Sequence, residues 1–235
     1  MIVSLTIVRY RKALTPFALL AMIVHHIPMR LQKKCSFYKL LGTGKGKSST
    51  KPNWQQWGVL AVWDTRGSFD DFYATSFIRK WWDAFGADQW SILCEPIQCH
   101  GKWSEKEPFK GHAIPGYNGP VVVLTRARIR LSRLLPFWRS VKAVAAQLEQ
   151  APGRVLNFAI GQTHHLIGTF SVWDNADNIK AFAYSAGAHL DVINRVREES
   201  WFTEDLFARF RPIDSFGTLD GADPAKSLLA GKDDF

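Results

Sequence analysis

Cysteine is scarce, with only Cys35, Cys94 and Cys99 in 235 residues. Three thiols do not make a disulfide framework, and they fit a reducing compartment. Cys94, Cys99 and His100 are spaced C-x4-C-H with no second pair, which is no recognised zinc pattern. A long apolar run is missing too. The stretch "ALTPFALLAMIVHHIPM" is too short for a membrane span and is interrupted by His25, His26 and Pro28. No small-x-small cleavage site follows it, although an Arg-rich, acid-poor start is also a feature of transit peptides. The glycine-rich "GTGKGKS" has Leu41 where a phosphate-binding loop needs glycine, and it lies between two strand-like runs. No flavin- or nicotinamide-binding motif is present, so a redox activity would draw its electrons from a partner protein. Acid is absent before Asp64, whereas residues 1–63 hold ten Lys or Arg. The rest of the chain is nearly balanced. The net charge of +9 is therefore local, and anionic lipid and nucleic acid are the partners such a patch attracts.

Aromatics, by contrast, are abundant, with ten Trp and sixteen Phe. They imply either an aromatic core or a large flat apolar ligand. The chain also repeats itself. "VWDTRGSFDDF" at 62–72 and "VWDNADNIKAF" at 172–182 share Val, Trp, Asp and the last Phe at one constant offset. Alternating apolar runs precede both segments and read as strands. Polar-started helices follow, with Ser68 and Asn175 or Asp177 as caps. Outward, "SLTIVRY" pairs with "VVVLTRARI", setting Arg9 against Arg126. Two helices with Pro-Phe near their openings come next, then glycine-ended strands. Each half thus reads strand, helix, strand, strand, helix, strand, the ferredoxin-like split βαβ unit.

Two such sheets face to face give an intramolecular version of the dimeric α+β barrel, with an interior that serves as a pocket. The expected halves are 1–105 and 118–220, with a tail at 221–235. The first strand and helix belong to the repeat, so cleavage of the N-terminus is not expected. A groove-reading helix is not evident, which sets nucleic acid aside as a partner.

Within the second half, residues 170–197 read as a strand running into one long helix. Ile179, Phe182, Ala186, His189, Ile193 and Val196 form its apolar stripe, and Arg79 occupies the position of His189 in the first half. An imidazole in an apolar stripe is either a hydrogen-bonded core histidine or a ligand. No Ser/His/Asp or Cys/His constellation can be assembled around it by spacing. It could, however, be the single protein ligand to a metal held by a planar macrocycle.

The segments "LLGTGKG", "CHGKWSEKEPF", "GPVVVLTRARIR", "FWRSV", "GTFSVWD" and "GAHLDVINRVREESWFTEDLFARF" resemble those of the spheroidene monooxygenase family, a haem-associated branch of the dimeric α+β barrel superfamily. The resemblance runs from residue 1 to about 222 and is more specific in the C-terminal half. It implies haem b iron bound through His189. It also implies O2-dependent oxygenation of an apolar, carotenoid-like polyene, with electrons from a donor protein. A cysteine thiolate is the alternative iron ligand. "KGKSSTKPNW" departs from the family pattern, which bears on substrate identity.

On that reading Arg126 or Thr125 serves the open iron face, since adjacent strand residues point to opposite sides. Arg126 has a rival role in a rim ion pair, for instance with Asp174. His164, beside His165 in a turn, is a candidate proton donor, with solvent exposure as the other reading. Trp173 is a core anchor like Trp63, or a haem-stacking group together with Phe182. Arg195 and Arg197 either meet the haem propionates or simply complement a helix C-terminus. Other functions compatible with the fold are a haem enzyme of different chemistry, such as oxime dehydration, and a non-catalytic haem or lipid binder. The expected location is cytoplasmic, at a membrane surface.

Overall fold

The computed structural model describes residues 1–45, 51–184 and 188–229; the side chains of 142, 143, 184, 188–191 and 197 lie outside the described set. The first half comprises β1 (Ile2–Tyr10), α1 (Thr15–Val24), α2 (His26–Leu31), β2 (Cys35–Gly44), β3 (Pro52–Trp63), α3 (Arg66–Thr75), α4 (Phe77–Phe85) and β4 (Gly86–Gly101). The second comprises β5 (Val121–Ile129), α5 (Leu134–Glu149), β6 (Arg154–Thr163), β7 (Leu166–Trp173), α6 (Ala176–Tyr184), α7 (Ala188–Glu198) and β8 (Phe202–Thr218), followed by α8 (Lys226–Leu229). The strands close in the order β1-β3-β2-β6-β7-β5-β8-β4. One chain therefore makes the whole α+β barrel, as the repeat requires. The seam between β2 and β6 is short, pairing Gly42 with Gly161 and Thr43 with Ile160.

Strand alternation sorts the side chains into an inside and an outside. Val122 and Leu124 of β5, Phe170 and Val172 of β7, and Leu206, Ala208 and Phe210 of β8 join Leu5, Ile7, Leu60 and Ile92 in the interior cluster. Trp90, Trp103 and Phe109 complete it. Among the described residues, the barrel interior where a pocket was expected is occupied by bulky aromatic and branched side chains from both halves. The chain after β8 also belongs to the fold. Asp223 accepts from Trp90 Nε1 at 2.9 Å and from Ser215 Oγ at 2.6 Å, and Ala225 is buried. Residues 221–229 therefore close one end of the barrel instead of trailing from it.

Several further expectations are corrected. In the first half the VWD segment leads into two helices, not one. There Ser76 is extended (φ −67, ψ 154) and its side chain accepts from Arg79 N, so it ends α3 and caps α4. In the second half the stripe residue Ala186 lies outside the described residues. Thr65, not Ser68, caps α3, whereas Asn175 accepts from Asn178 N at 2.8 Å. Ile2 pairs with Trp63 and Val121 with Trp173, so the position equivalent to Arg126 is Ile7, and Arg9 matches Arg128. Finally, the turn Lys12–Leu14, α1 and α2 join into a rod of 20 residues, longer than the sequence suggested. The hydrogen-bond ladder continues across its junction, from His25 N to Ala21 O and from Met29 N to His25 O.

Candidate functional site

The outer faces of the two half-barrels differ. On the first, Phe69, Phe72, Ile78, Trp82, Ala18 and Met29 pack against Val8, Val59, Ala61 and Trp63 in one apolar cluster. On the second, helices α5, α6 and α7 stand over β5–β8 around a cleft of about 1440 Å³. The cleft lies between helices and sheet, outside the barrel.

The ladder register builds its floor. One row across the sheet is Phe207, Thr125, Thr169 and Ala159. On one side of it runs Asp205, Ala127, Ile167 and Gly161; on the other runs Arg209, Val123, Ser171 and Asn157. Many of these side chains are small, so the floor is shallow and flat. Above it are apolar side chains: Trp138, Val141 and Val144 from α5, Ile179 and Phe182 from α6, and Val192, Ile193 and Val196 from α7. The seam glycines Gly42 and Gly161 continue the floor toward the first half, where Met22, His26, Trp54 and Trp57 line the far side.

Thr125 and Arg126 face opposite ways. Thr125 is exposed on the cleft floor, in line with Phe207 and Thr169. Arg126 is 3% exposed, its guanidinium paired with Glu204 and 5.6 Å from the Trp103 ring centre. The partner is Glu204, not Asp174, which instead accepts from Asn178 Nδ2 at 2.8 Å. Burial pulls the Arg126 pKa down while Glu204 pushes it up. Burial raises Glu204, but the Glu105 N–H, the Arg126 guanidinium and the Ser104 N–H outweigh it and hold the carboxyl below its usual range.

His164 is exposed in the β6–β7 turn at the cleft edge, its ring 5.4 Å from that of His165. Trp173 is completely buried, donates to Ser171 Oγ at 2.9 Å and lies 5.5 Å from Phe182, with both rings lining the cleft. Its counterpart Trp63 donates likewise to Ser4 Oγ at 2.8 Å. Arg195 is exposed on α7, 5.1 Å from the Trp201 ring centre and 3.4 Å from Glu199. His189 lies in the first turn of α7, one turn ahead of Val192 and Ile193; its side chain, like that of Arg197, is outside the described set.

The residue types present can be compared with a haem. Among the described residues no cluster of three His, Cys, Asp or Glu could hold a metal by itself. None of the three thiols lines the cleft. Burial raises the pKa of all three, Cys35 to about 11, against thiolate formation. A group that brings its own planar ligands would need one imidazole, an apolar slot and a cation for its carboxylates. The slot is the cleft. The cation that sequence reasoning missed is Arg209, whose Nε is buried without a hydrogen-bond partner among the described residues. Arg209 stands across the β4–β8 ladder from Gln98, which also lines the cleft. The donor set fits. The sequence did carry a signal for the floor, the small residues at alternate positions Ala127, Ala159, Gly161, Thr169 and Ser171.

No family model matches the chain. A spheroidene monooxygenase from Rhodobacter capsulatus is 33% identical over 219 residues, covering 91% of this chain and 90% of the relative. A second, from Cereibacter sphaeroides, is 32% identical over 89% of this chain and 64% of its own length. Among solved structures, aldoxime dehydratase in complex with butyraldoxime aligns over 97% of this chain and 84% of its own, with TM-score 0.64 and 12% identity. That likeness is one of fold.

Proposed function

The chain belongs to the spheroidene monooxygenase family, and we propose that it oxygenates a carotenoid-like polyene in the second-half cleft, with haem b held there. One observation carries this reading: among the described residues the second half holds a wide cleft under an apolar roof, beside the helix that bears His189, where the first half packs Phe69, Phe72, Ile78 and Trp82 against its sheet.

The haem would supply dioxygen activation, with electrons from an external donor protein. His189 would be its protein ligand, because helical periodicity puts position 189 on the face shared by Val192, Ile193 and Val196. Arg209, which lines the cleft, would receive its carboxylates on its guanidinium. The apolar helix side chains would grip an extended polyene by burial alone and keep water out of the reacting region. Thr125 and Thr169 are hydroxyls on the floor, placed to orient a polar atom of the reacting species. His164, at the solvent edge, would relay protons inward. Arg126 is committed to Glu204 and acts as a structural cation.

The test is reconstitution of the purified protein with haem, followed by turnover of an acyclic carotenoid with a reductant and labelled dioxygen. The expected results are a stoichiometric Soret band and a product carrying one labelled oxygen atom. His189→Ala should lose the band while keeping its circular dichroism. Arg209→Met should weaken haem about tenfold, the worth of one charged hydrogen bond, and weaken haem dimethyl ester less. A His189→Ala protein with full Soret intensity would overturn the ligand assignment.

A further inference from the structure

The rod formed by the turn Lys12–Leu14, α1 and α2 covers the first half of the barrel with one face. Ala18, Ala21, His25 and Met29 are buried there. Its other face is bare: Leu20, Ile23, Ile27 and Leu31, at three- and four-residue steps, are 44%, 72%, 65% and 75% exposed. By length and composition the rod is long and apolar enough to cross a membrane, but its inner face is held against the barrel, which suits an orientation along a surface.

Strand direction brings a second apolar edge to the same end. β1 runs antiparallel to β4, β4 to β8 and β8 to β5, so β1 and β5 point in opposite directions. Hence α1 and α5 start at opposite ends of the barrel, and the rod finishes, at Leu31, at the end where α5 begins. At that end Leu131 and Leu135 are 71% and 62% exposed. The charge around both edges is mainly positive. Arg30, Lys33 and Arg130 are exposed, and residues 11–34 and 129–139 contain no acid. Of the acids that reach these segments from elsewhere, Asp71 pairs with Lys34 at 3.2 Å and Glu199 with Arg133 at 3.0 Å, and Asp64 lies beside Lys34. Met22 and His26, one step round the rod from Ile23 and Ile27, line the cleft, as do Phe137 and Trp138 just beyond Leu135.

We infer that this end of the barrel docks on an anionic lipid bilayer. The exposed Ile and Leu side chains enter the boundary between headgroups and acyl chains, and Arg30, Lys33 and Arg130 meet lipid phosphates. The cleft then opens toward the lipid. A second copy of the chain is disfavoured as the occupant, because an excess of cations repels its own image, whereas an anionic surface complements it. The inference does not depend on the cofactor.

Vesicles of phosphatidylcholine with about one third phosphatidylserine, free of carotenoid and haem, should carry the full chain upward in a flotation gradient at low salt. Pure phosphatidylcholine vesicles should carry about tenfold less, and half-molar salt should release the protein. Combining Ile27→Asp with Leu31→Asp should lower partitioning about tenfold or more without altering the melting curve, since both side chains face solvent. The inference is overturned by absent binding, by binding indifferent to lipid charge, or by full binding of the double variant. It is equally overturned by a dimer in light scattering that the double variant dissolves, which would give the face to a second copy. None of these outcomes bears on the haem titration, so the two readings fail separately.

Discussion

Arg126→Ile places at position 126 the residue that the first half carries at the equivalent Ile7, so the side chain suits the barrel interior in shape and polarity. What it removes is the buried partner of Glu204, whose other cation, Arg128, is 3.7 Å away and 39% exposed. The two side chains are 3% and 10% exposed, so solvent screens the pair little. Removing one member of a buried pair typically costs about 3–5 kcal/mol, because the other charge stays behind unpaired. Glu204 retains the Arg128 guanidinium at 3.7 Å and the N–H groups of Ser104 at 3.1 Å and Glu105 at 2.7 Å, which sets the expectation at the lower end, about 3 kcal/mol. In a chain of this size that is roughly 6–12 °C in Tm.

The pH dependence follows from the Glu204 carboxyl, which is held below its unfolded value of 4.5. A group depressed in the folded state contributes stability above its unfolded pKa and loses it as pH falls through the folded one. The gap between parent and variant should therefore be full at neutral pH and close as the carboxyl protonates below about pH 4.5. Adding Glu204→Leu to the variant should recover most of the loss, since the Ser104 and Glu105 N–H groups are exposed and can bond to water. Thermal melts by circular dichroism at neutral and acid pH decide it. Equal Tm values for parent and Arg126→Ile at neutral pH, or a gap that widens with acid, would refute the account of this pair.

The duplication was legible because its markers are physical anchors. Trp63 and Trp173 end equivalent strands, are buried, and donate to a serine hydroxyl, so neither half could lose its tryptophan without an unsatisfied cavity. Which side of the sheet holds the site was not legible. "VVVLTRARI" is apolar at both odd and even positions through Leu124, so periodicity does not say which face meets a neighbouring sheet and which meets a helix. Only closure of the barrel decides that, and it turned Arg126 inward and Thr125 outward. The partner of Arg126 lies 78 residues away, and only the β5–β8 register brings it within reach. The cleft itself is written as a deficit. Where the first half spends Phe69, Phe72, Ile78 and Trp82 on filling the space under its helices, the second has Ala176, Ile179 and Phe182 above Ala159, Gly161 and Thr169. Missing volume is a weaker signal than a motif, because a small residue in a sequence is equally often a close backbone contact.

Two further perturbations separate the halves. Thr125→Phe would set a ring in the middle of the cleft floor, so carotenoid turnover should fall at least about tenfold while stability stays within about 0.5 kcal/mol. Unchanged turnover would remove the cleft as the site. His25→Leu addresses the filled half. His25 is 2% exposed, edge-on to Trp81 and Trp82, and its Nε2 has no hydrogen-bond partner among the described residues. Burial, with a smaller contribution from His26, pulls its pKa from 6.5 to about 4. The unfolded chain therefore binds a proton between those values that the folded chain refuses, and stability falls with pH across that window. The full difference is on the order of 3 kcal/mol. Leucine at this position has no proton to take up, so His25→Leu should flatten the decline in Tm between about pH 6.5 and 4 relative to the parent. Carboxylates titrating near the lower limit are common to both proteins and cancel in the difference. Parallel pH profiles for the two proteins would mean that the imidazole is already protonated when folded, and the aromatic cage around it would then have to be read as a cation site.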